Sequence, residues 1–209
     1  MAMNITVAAF DVDETLTVRD CVVPFMRSVA GFGRLSRVVF SDLRDTFHSV
    51  RRRDRDFLKA KFVCGVFEGK NAGDIEARGV QFASKIADGW LRSDVAARMR
   101  WHQEQGHVVI LVSASLGAYL HPLGDLLEVD AVLCTELEEV DGILTGKLLG
   151  KNCRGEEKAL RVQKWCESAG IHADDLVYAY GDSSGDLQLL ELFSHPTWVS
   201  KVDLRVSAA

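Results

Sequence analysis

This 209-residue sequence predicts a doubly wound α/β core with an inserted α-helical domain. Three observations carry that expectation. Short apolar runs recur along the chain, and they are near-continuous rather than alternating, as strands of a mostly parallel, Rossmann-like sheet covered on both faces must be. Helical periodicity fills the intervals between several of them, which is the pattern of strand–helix–strand units. Between Val18 and Arg100 the pattern changes to helical stretches, with no strand run longer than Val38–Phe40.

In chain order, ITVAAF (Ile5–Phe10) is the first strand. Residues 19–99 are read as the helical insertion, so the core comprises residues 1–18 and 100–209. DVAARMRWHQEQG (Asp94–Gly106) is a helix that starts after Ser93, a good N-cap residue, and stops at a glycine. HVVILVS (His107–Ser113) and AVLC (Ala131–Cys134) are the next strands. LEEVDGILTGKL (Leu137–Leu148) reads as an antiparallel hairpin turning at Asp141-Gly142. The helix GEEKALRVQKWCESAG (Gly155–Gly170) places Ala159, Val162, Cys166 and Ala169 on one face. LVYAY (Leu176–Tyr180) and TWVS (Thr197–Ser200) complete the strands.

Composition narrows the class. An apolar fraction of 47% and a charged fraction of 26% are ordinary for a soluble globular chain. The net charge of -5 argues against a general nucleic-acid binder. No apolar run approaches the roughly 18 residues of a membrane span, and no basic-then-apolar leader opens the chain. Five cysteines without a C-x-x-C pair point to a reducing compartment and against a disulfide frame or a zinc site. The expectation is a cytoplasmic protein with a small-molecule partner, without a membrane or nucleic-acid partner. Its oligomeric state, monomer or homodimer, is left open.

Four segments carry chemistry, each just after an expected strand or at a helix start, where open α/β sheets bind ligands. Asp11-Val12-Asp13-Glu14-Thr15 follows the first strand, and extended alternation puts Asp11 and Asp13 on one side. Ser113-Ala114-Ser115 offers a hydroxyl followed by backbone N–H groups at a helix start, a phosphate cradle. Lys158 lies in Cys153-Arg154-Gly155-Glu156-Glu157-Lys158, and Gly181-Asp182-Ser183-Ser184-Gly185-Asp186 follows LVYAY. Together they offer oxygen ligands for a hard cation such as Mg²⁺, plus one ammonium, one hydroxyl and a carboxylate nucleophile. That inventory suits phosphoryl transfer through an aspartyl phosphate.

As a set in this order, D-x-D-x-T, S-A-S, C-x-G-x-x-K and G-D-S-x-x-D-L resemble the haloacid dehalogenase superfamily, specifically its phosphoserine-phosphatase-like branch of subfamily IB. The stretch LCTELEEVDGILTGKLLGKNCRGEEK is similar to that branch beyond the motifs. The resemblance implies that Asp11 attacks phosphorus and that Asp13 protonates the leaving alcohol, then activates water. It implies Mg²⁺ on Asp11, the main-chain carbonyl of Asp13, and Asp182. Ser113, with Ala114, and Lys158 would hold the phosphoryl oxygens, and Asp186 would support the metal shell. The insertion would be a cap closing over a small phosphorylated metabolite.

Other readings stay open. Asp186 also suits a first-turn carboxylate favoured by the helix dipole. Glu14 stands where the family often has a small residue. Asp20 lies near where phosphoserine phosphatases place an acidic residue meeting the substrate ammonium, but their cap signature has no counterpart here. Phosphoserine is therefore not carried over as the substrate. A phosphotransferase or mutase would share the nucleophile, and a regulatory module would keep the fold without turnover. From Gly31 to Lys61 nine Lys/Arg face four Asp, +5 against -10 for the rest, either a solvated face or a field that draws anions to the site. GVFEGKN (Gly65–Asn71) and GILTGKL (Gly142–Leu148) imitate phosphate loops, but each is one residue short.

Overall fold

A computed structural model describes residues 5–30 and 55–199 of the chain. Six strands, β1 (Val7–Phe10), β2 (Val108–Leu116), β3 (Ala131–Val140), β4 (Ile143–Leu149), β5 (Leu176–Gly181) and β6 (His195–Trp198), form one sheet in the order β4-β3-β2-β1-β5-β6. Every neighbouring pair is parallel except β3 and β4. The expected mostly parallel α/β sheet is therefore present, with β1 at its centre.

Both faces of that sheet are covered, which explains the unbroken apolar runs. Ala8, Phe10, Val109 and Leu111 pack into one hydrophobic cluster; Val7, Ala9, Ile110 and Val112 pack into another on the opposite face. Helix α1 (Val22–Ala30), α2 (Arg55–Phe67), α3 (Ala72–Gly89), α4 (Ser93–Glu104) and α5 (Gly117–Leu126) supply residues to the first cluster or pack beside it. Helices α6 (Glu156–Ala169) and α7 (Leu187–Leu190) serve the second.

Local chemistry decides the details. At the hairpin, Asp141 (φ 51°) and Gly142 (φ 78°) both take positive φ, the backbone of a turn whose twist matches the flanking strands. Strand β3 runs on from Cys134 to Val140 because β4 pairs with it. Helix α4 begins at Ser93 rather than Asp94, with Arg92 as its N-cap. Arg92 N donates to Leu16 O (2.9 Å), which holds that residue extended, and its guanidinium pairs with Asp94 (2.7 Å). In α6 the buried stripe is Lys158, Val162 and Cys166 with Trp165 half-buried, while Ala169 is exposed. The stripe follows Lys158 because its ammonium is drawn into the sheet's carboxylates.

The chain enters and leaves the insertion side by side. Val18 N donates to Trp90 O (2.8 Å), and Thr17 bridges Leu91. The described part of the insertion is also stitched to the hairpin: Gly69 N donates to Leu144 O, Leu144 N to Lys70 O and Ala72 N to Gly142 O, each at 2.9 Å. The two phosphate-loop imitations are thus hydrogen-bonded to one another, and neither forms a loop that cradles an anion. Phe25 and Phe82 of the insertion pack on Tyr119 of α5, with ring centroids 4.8 and 5.2 Å apart. Residues 31–54, which carry most of the basic segment, lie outside the described residues. All five cysteines are free, and no helix among the described residues is long and apolar enough to cross a membrane.

Candidate active site

The site is built at the carboxyl end of β1. Phe10 stacks on Tyr180 of β5 (centroids 4.5 Å apart), and the Tyr180 hydroxyl meets the Nε2 of the buried His102 at 2.9 Å. This packed layer fixes the strand ends from which Asp11 and Asp182 emerge. Asp11 N then donates to Tyr180 O (2.9 Å). Val12–Leu16 make a single wide turn, closed by Thr17 N donating to Val12 O (2.9 Å), in which Glu14 takes φ 62°. Glu14 is exposed and lines the mouth of the site.

Asp11, Lys158 and Asp186 come together beneath it, all nearly inaccessible to solvent. Lys158 Nζ donates to Asp11 Oδ1 (2.5 Å) and Asp186 Oδ1 (2.6 Å). Burial alone would depress the lysine, but the two carboxylates outweigh it and hold Lys158 above its ordinary value, an ammonium. Asp186 moves the other way: burial raises it, and the Lys158 charge with two hydrogen bonds from Ser183 takes it below the usual carboxylate range. Asp186 makes no capping bond to α7, so its side chain serves Lys158 and Ser183 instead of the helix end.

Oxygens of Asp11, Asp182 and Asp186 lie within 4.8 Å of one another. Burial pushes Asp11 up to about 7, with Lys158 opposing and Asp186 adding to the rise. Burial and Asp186 also raise Asp182, which accepts from Thr15 Oγ1 at 3.1 Å. Three carboxylates face one ammonium, two of the three buried, so the cluster has an excess of acidic groups. A hard divalent cation fits both the all-oxygen donor set and that excess.

Asp13 has a different environment. Its Oδ2 accepts from Ser115 Oγ (2.6 Å) and its Oδ1 from Cys21 N (2.7 Å), and it stands outside the Asp11–Asp182–Asp186 group. Burial pushes the Asp13 carboxyl above the usual carboxylate range, Ser115 opposes, and Asp20 adds to the rise. Ser113 is buried, and its hydroxyl accepts from Ser115 N (3.0 Å). Asp20 accepts from Val23 N (3.1 Å), a helix-start contact to α1, while also lining the cavity.

The cavity over these groups measures about 430 Å³ and joins all nine expected positions: Asp11, Asp13, Glu14, Asp20, Ser113, Ala114, Lys158, Asp182 and Asp186. Val22, Val23, Met26 and Phe62 add an apolar wall, and Asn152, Arg154 and Ser183 a polar one. Sequence reasoning did not single out Thr15 or Ser115 as site residues, although both stand inside the quoted motifs. Asn152 and Arg154 were also missed; the one signal for them is that Arg154 stands inside the quoted Lys158 segment and Asn152 just before it.

The family model of the haloacid dehalogenase-like hydrolases matches residues 8–191. The chain is 34% identical over 190 residues to Protein CicA of Caulobacter vibrioides, covering 88% of this chain and 81% of that protein. It is 26% identical over 196 residues to phosphoserine phosphatase SerB1 of Mycobacterium tuberculosis, covering 91% and 63%. A solved phospho-aspartyl intermediate analogue of phosphoserine phosphatase shares the fold, with TM-score 0.62 at 17% identity over 93% of this chain and 86% of that one. The chain belongs to the haloacid dehalogenase-like hydrolases, and proteins named as phosphatases are among those it resembles.

Proposed function

We propose that the chain is a Mg²⁺-dependent phosphomonoester hydrolase that acts on a small phosphorylated metabolite through an aspartyl phosphate on Asp11. The observation that carries this is the division of labour between two carboxylates one residue apart. Asp11 is tied to an ammonium and the acidic cluster, whereas Asp13 is tied to a hydroxyl and an amide and is pushed toward its protonated form. Lys158 opposes the rise that burial gives Asp11, and a bound cation would hold it as an oxyanion; Asp13, outside that cluster, is placed as the proton carrier.

Asp11 Oδ attacks phosphorus, and the bond to the leaving oxygen breaks as Asp13 delivers its proton. A water then attacks the aspartyl phosphate, Asp13 takes the water's proton, and phosphate leaves with Asp11 restored. Asp11, the Asp13 carbonyl and Asp182 would hold Mg²⁺, with Asp186 supporting. The bound cation would neutralise charge on the phosphoryl oxygens. Lys158 and Ser113 with Ala114 bind those oxygens. Lys158 also keeps Asp11 and Asp186 from repelling one another.

Residues 19–99 act as the cap, with the paired strands of chain at Thr17–Val18 and Trp90–Arg92 as its base. The cavity volume suits a metabolite rather than a macromolecule. Arg154 lines it without an ion-pair partner among the described residues, so a substrate with a second anionic group would meet a guanidinium there. The protein acts in the cytoplasm.

Hydrolysis of an aryl phosphate with Mg²⁺, with chelator, and by Asp11→Asn tests the reading. Release needing both Mg²⁺ and Asp11 is expected. An Asp11→Asn variant within about tenfold of wild type, a barrier change of only about 1.4 kcal/mol, overturns it.

A further inference from the structure

Outside the residues that line the proposed site's cavity, three unlike donors converge. His121 comes from α5; Cys134 and Glu136 come from β3, two residues apart and so on one face of the strand. His121 Nε2 lies 2.8 Å from Glu136 Oε1, Cys134 Sγ lies 3.1 Å from that same oxygen, and Sγ lies 3.7 Å from Nε2. Four-coordinate zinc bonded to nitrogen, oxygen and sulfur has ligand–ligand edges of roughly 3.3–3.6 Å. The triangle already approximates one face of that tetrahedron, to within about half an ångström.

We propose that His121, Cys134 and Glu136 form a second metal site, selective for a borderline-soft divalent cation such as Zn²⁺ or Co²⁺ and distinct from the oxygen-only Mg²⁺ site. Coordination forms one bond each to Nε2, Sγ and a carboxylate oxygen. The thiol proton, and the Nε2 proton when the imidazole carries one, pass to water; no group changes oxidation state. Thiolate and carboxylate balance the two positive charges. The His121 side chain is 51% exposed, so the fourth position opens to solvent and takes a water.

The donors are held for the purpose by their surroundings. Glu136 lies against the backbone of Gly117, where an added Cβ would come within 2.1 Å of Oε2. Arg161, the nearby cation, is already engaged by Glu157, the Lys151 carbonyl and the Cys134 carbonyl. Thr135, between the two β3 ligands, turns the other way and donates to Ala114 O at 3.1 Å. A cation here would pin α5 to β3 beside the phosphate-binding segment. The lack of a C-x-x-C pair argued against zinc in the sequence; the ligands are instead mixed and assembled from two elements.

The test uses the full chain, reduced and chelator-stripped, titrated with Co²⁺ in excess Mg²⁺ so that the carboxylate site is filled. One equivalent of Co²⁺ with a thiolate-to-cobalt charge-transfer band and the visible bands of four-coordinate cobalt is expected. Asp11→Asn should keep those bands and Cys134→Ser should lose the charge-transfer band. His121→Ala, at a half-exposed position, should weaken binding by at least about tenfold with unchanged circular dichroism. Absence of a thiolate band in the wild type, or a band of equal affinity in Cys134→Ser or His121→Ala, overturns the site.

Discussion

Asp13 shows how one carboxylate is prepared for proton transfer by its neighbours. Ser115 Oγ and Cys21 N fix both of its oxygens, and burial favours its protonated form. Removal of that proton should matter in proportion to the leaving group's basicity. Asp13→Asn is expected to lower kcat/KM for an alkyl phosphate by about 10²–10⁴-fold, and much less for a nitrophenyl phosphate, whose leaving group needs no acid. Equal losses on both substrates would refute the role. His102 is the opposite case, a group kept uncharged. Burial pushes it down to about 3 from an ordinary 6.5, with His107 (Nδ1–Nδ1 2.8 Å) and Arg98 adding to the effect. Because the unfolded chain binds this proton more readily, the stability that His102 contributes is present above pH 6.5 and is lost as pH falls toward 3. Urea unfolding should show a slope reduced by up to about 1.4 kcal/mol per pH unit in His102→Gln between pH 6 and 4. Parallel pH profiles for the two proteins would rule this out.

Helices α3 and α5 approach more closely than side chains would permit. Pro122 cannot donate to Ala118 O, and Gly79 of α3 lies against that carbonyl; a Cβ at residue 79 would stand 1.7 Å from it. Gly79→Ala must therefore separate the two helices, with an expected loss of about 2–3 kcal/mol in urea unfolding. Gly89→Ala, in the same helix with nothing within 4 Å of the new Cβ, is expected to be neutral or to stabilise by up to about 1 kcal/mol. Similar effects of the two substitutions would show that the crossing is not so tight.

Across the molecule, the described insertion does not hang from two linkers alone. Gly69, Lys70 and Ala72 exchange hydrogen bonds with Gly142 and Leu144, and α3 shares one hydrophobic cluster with the sheet. The amides of Leu144 and Ala72 should therefore exchange hydrogen as slowly as those of the β3–β4 hairpin, in one cooperative unit. Exchange of Ala72 and Gly69 much ahead of the hairpin would indicate an insertion that opens as a body.

The strand runs and the order of the four motifs were legible in the sequence because each is local. A buried strand needs an unbroken apolar run, and a ligand-binding turn needs its carboxylates or hydroxyls within a few residues. Asp11, Asp13, Ser113, Lys158, Asp182 and Asp186 therefore stood out before any fold was known. What Ser115 does for Asp13, across 102 positions, and the opposed protonation tendencies of Asp13 and Asp186 were not legible. Those depend on burial and on which charges meet in space, and neither quantity exists along a chain. The His121–Cys134–Glu136 triangle has the same origin. Strand alternation puts Cys134 and Glu136 on one face, but no spacing points to His121, which became their neighbour only when α5 folded back onto β3.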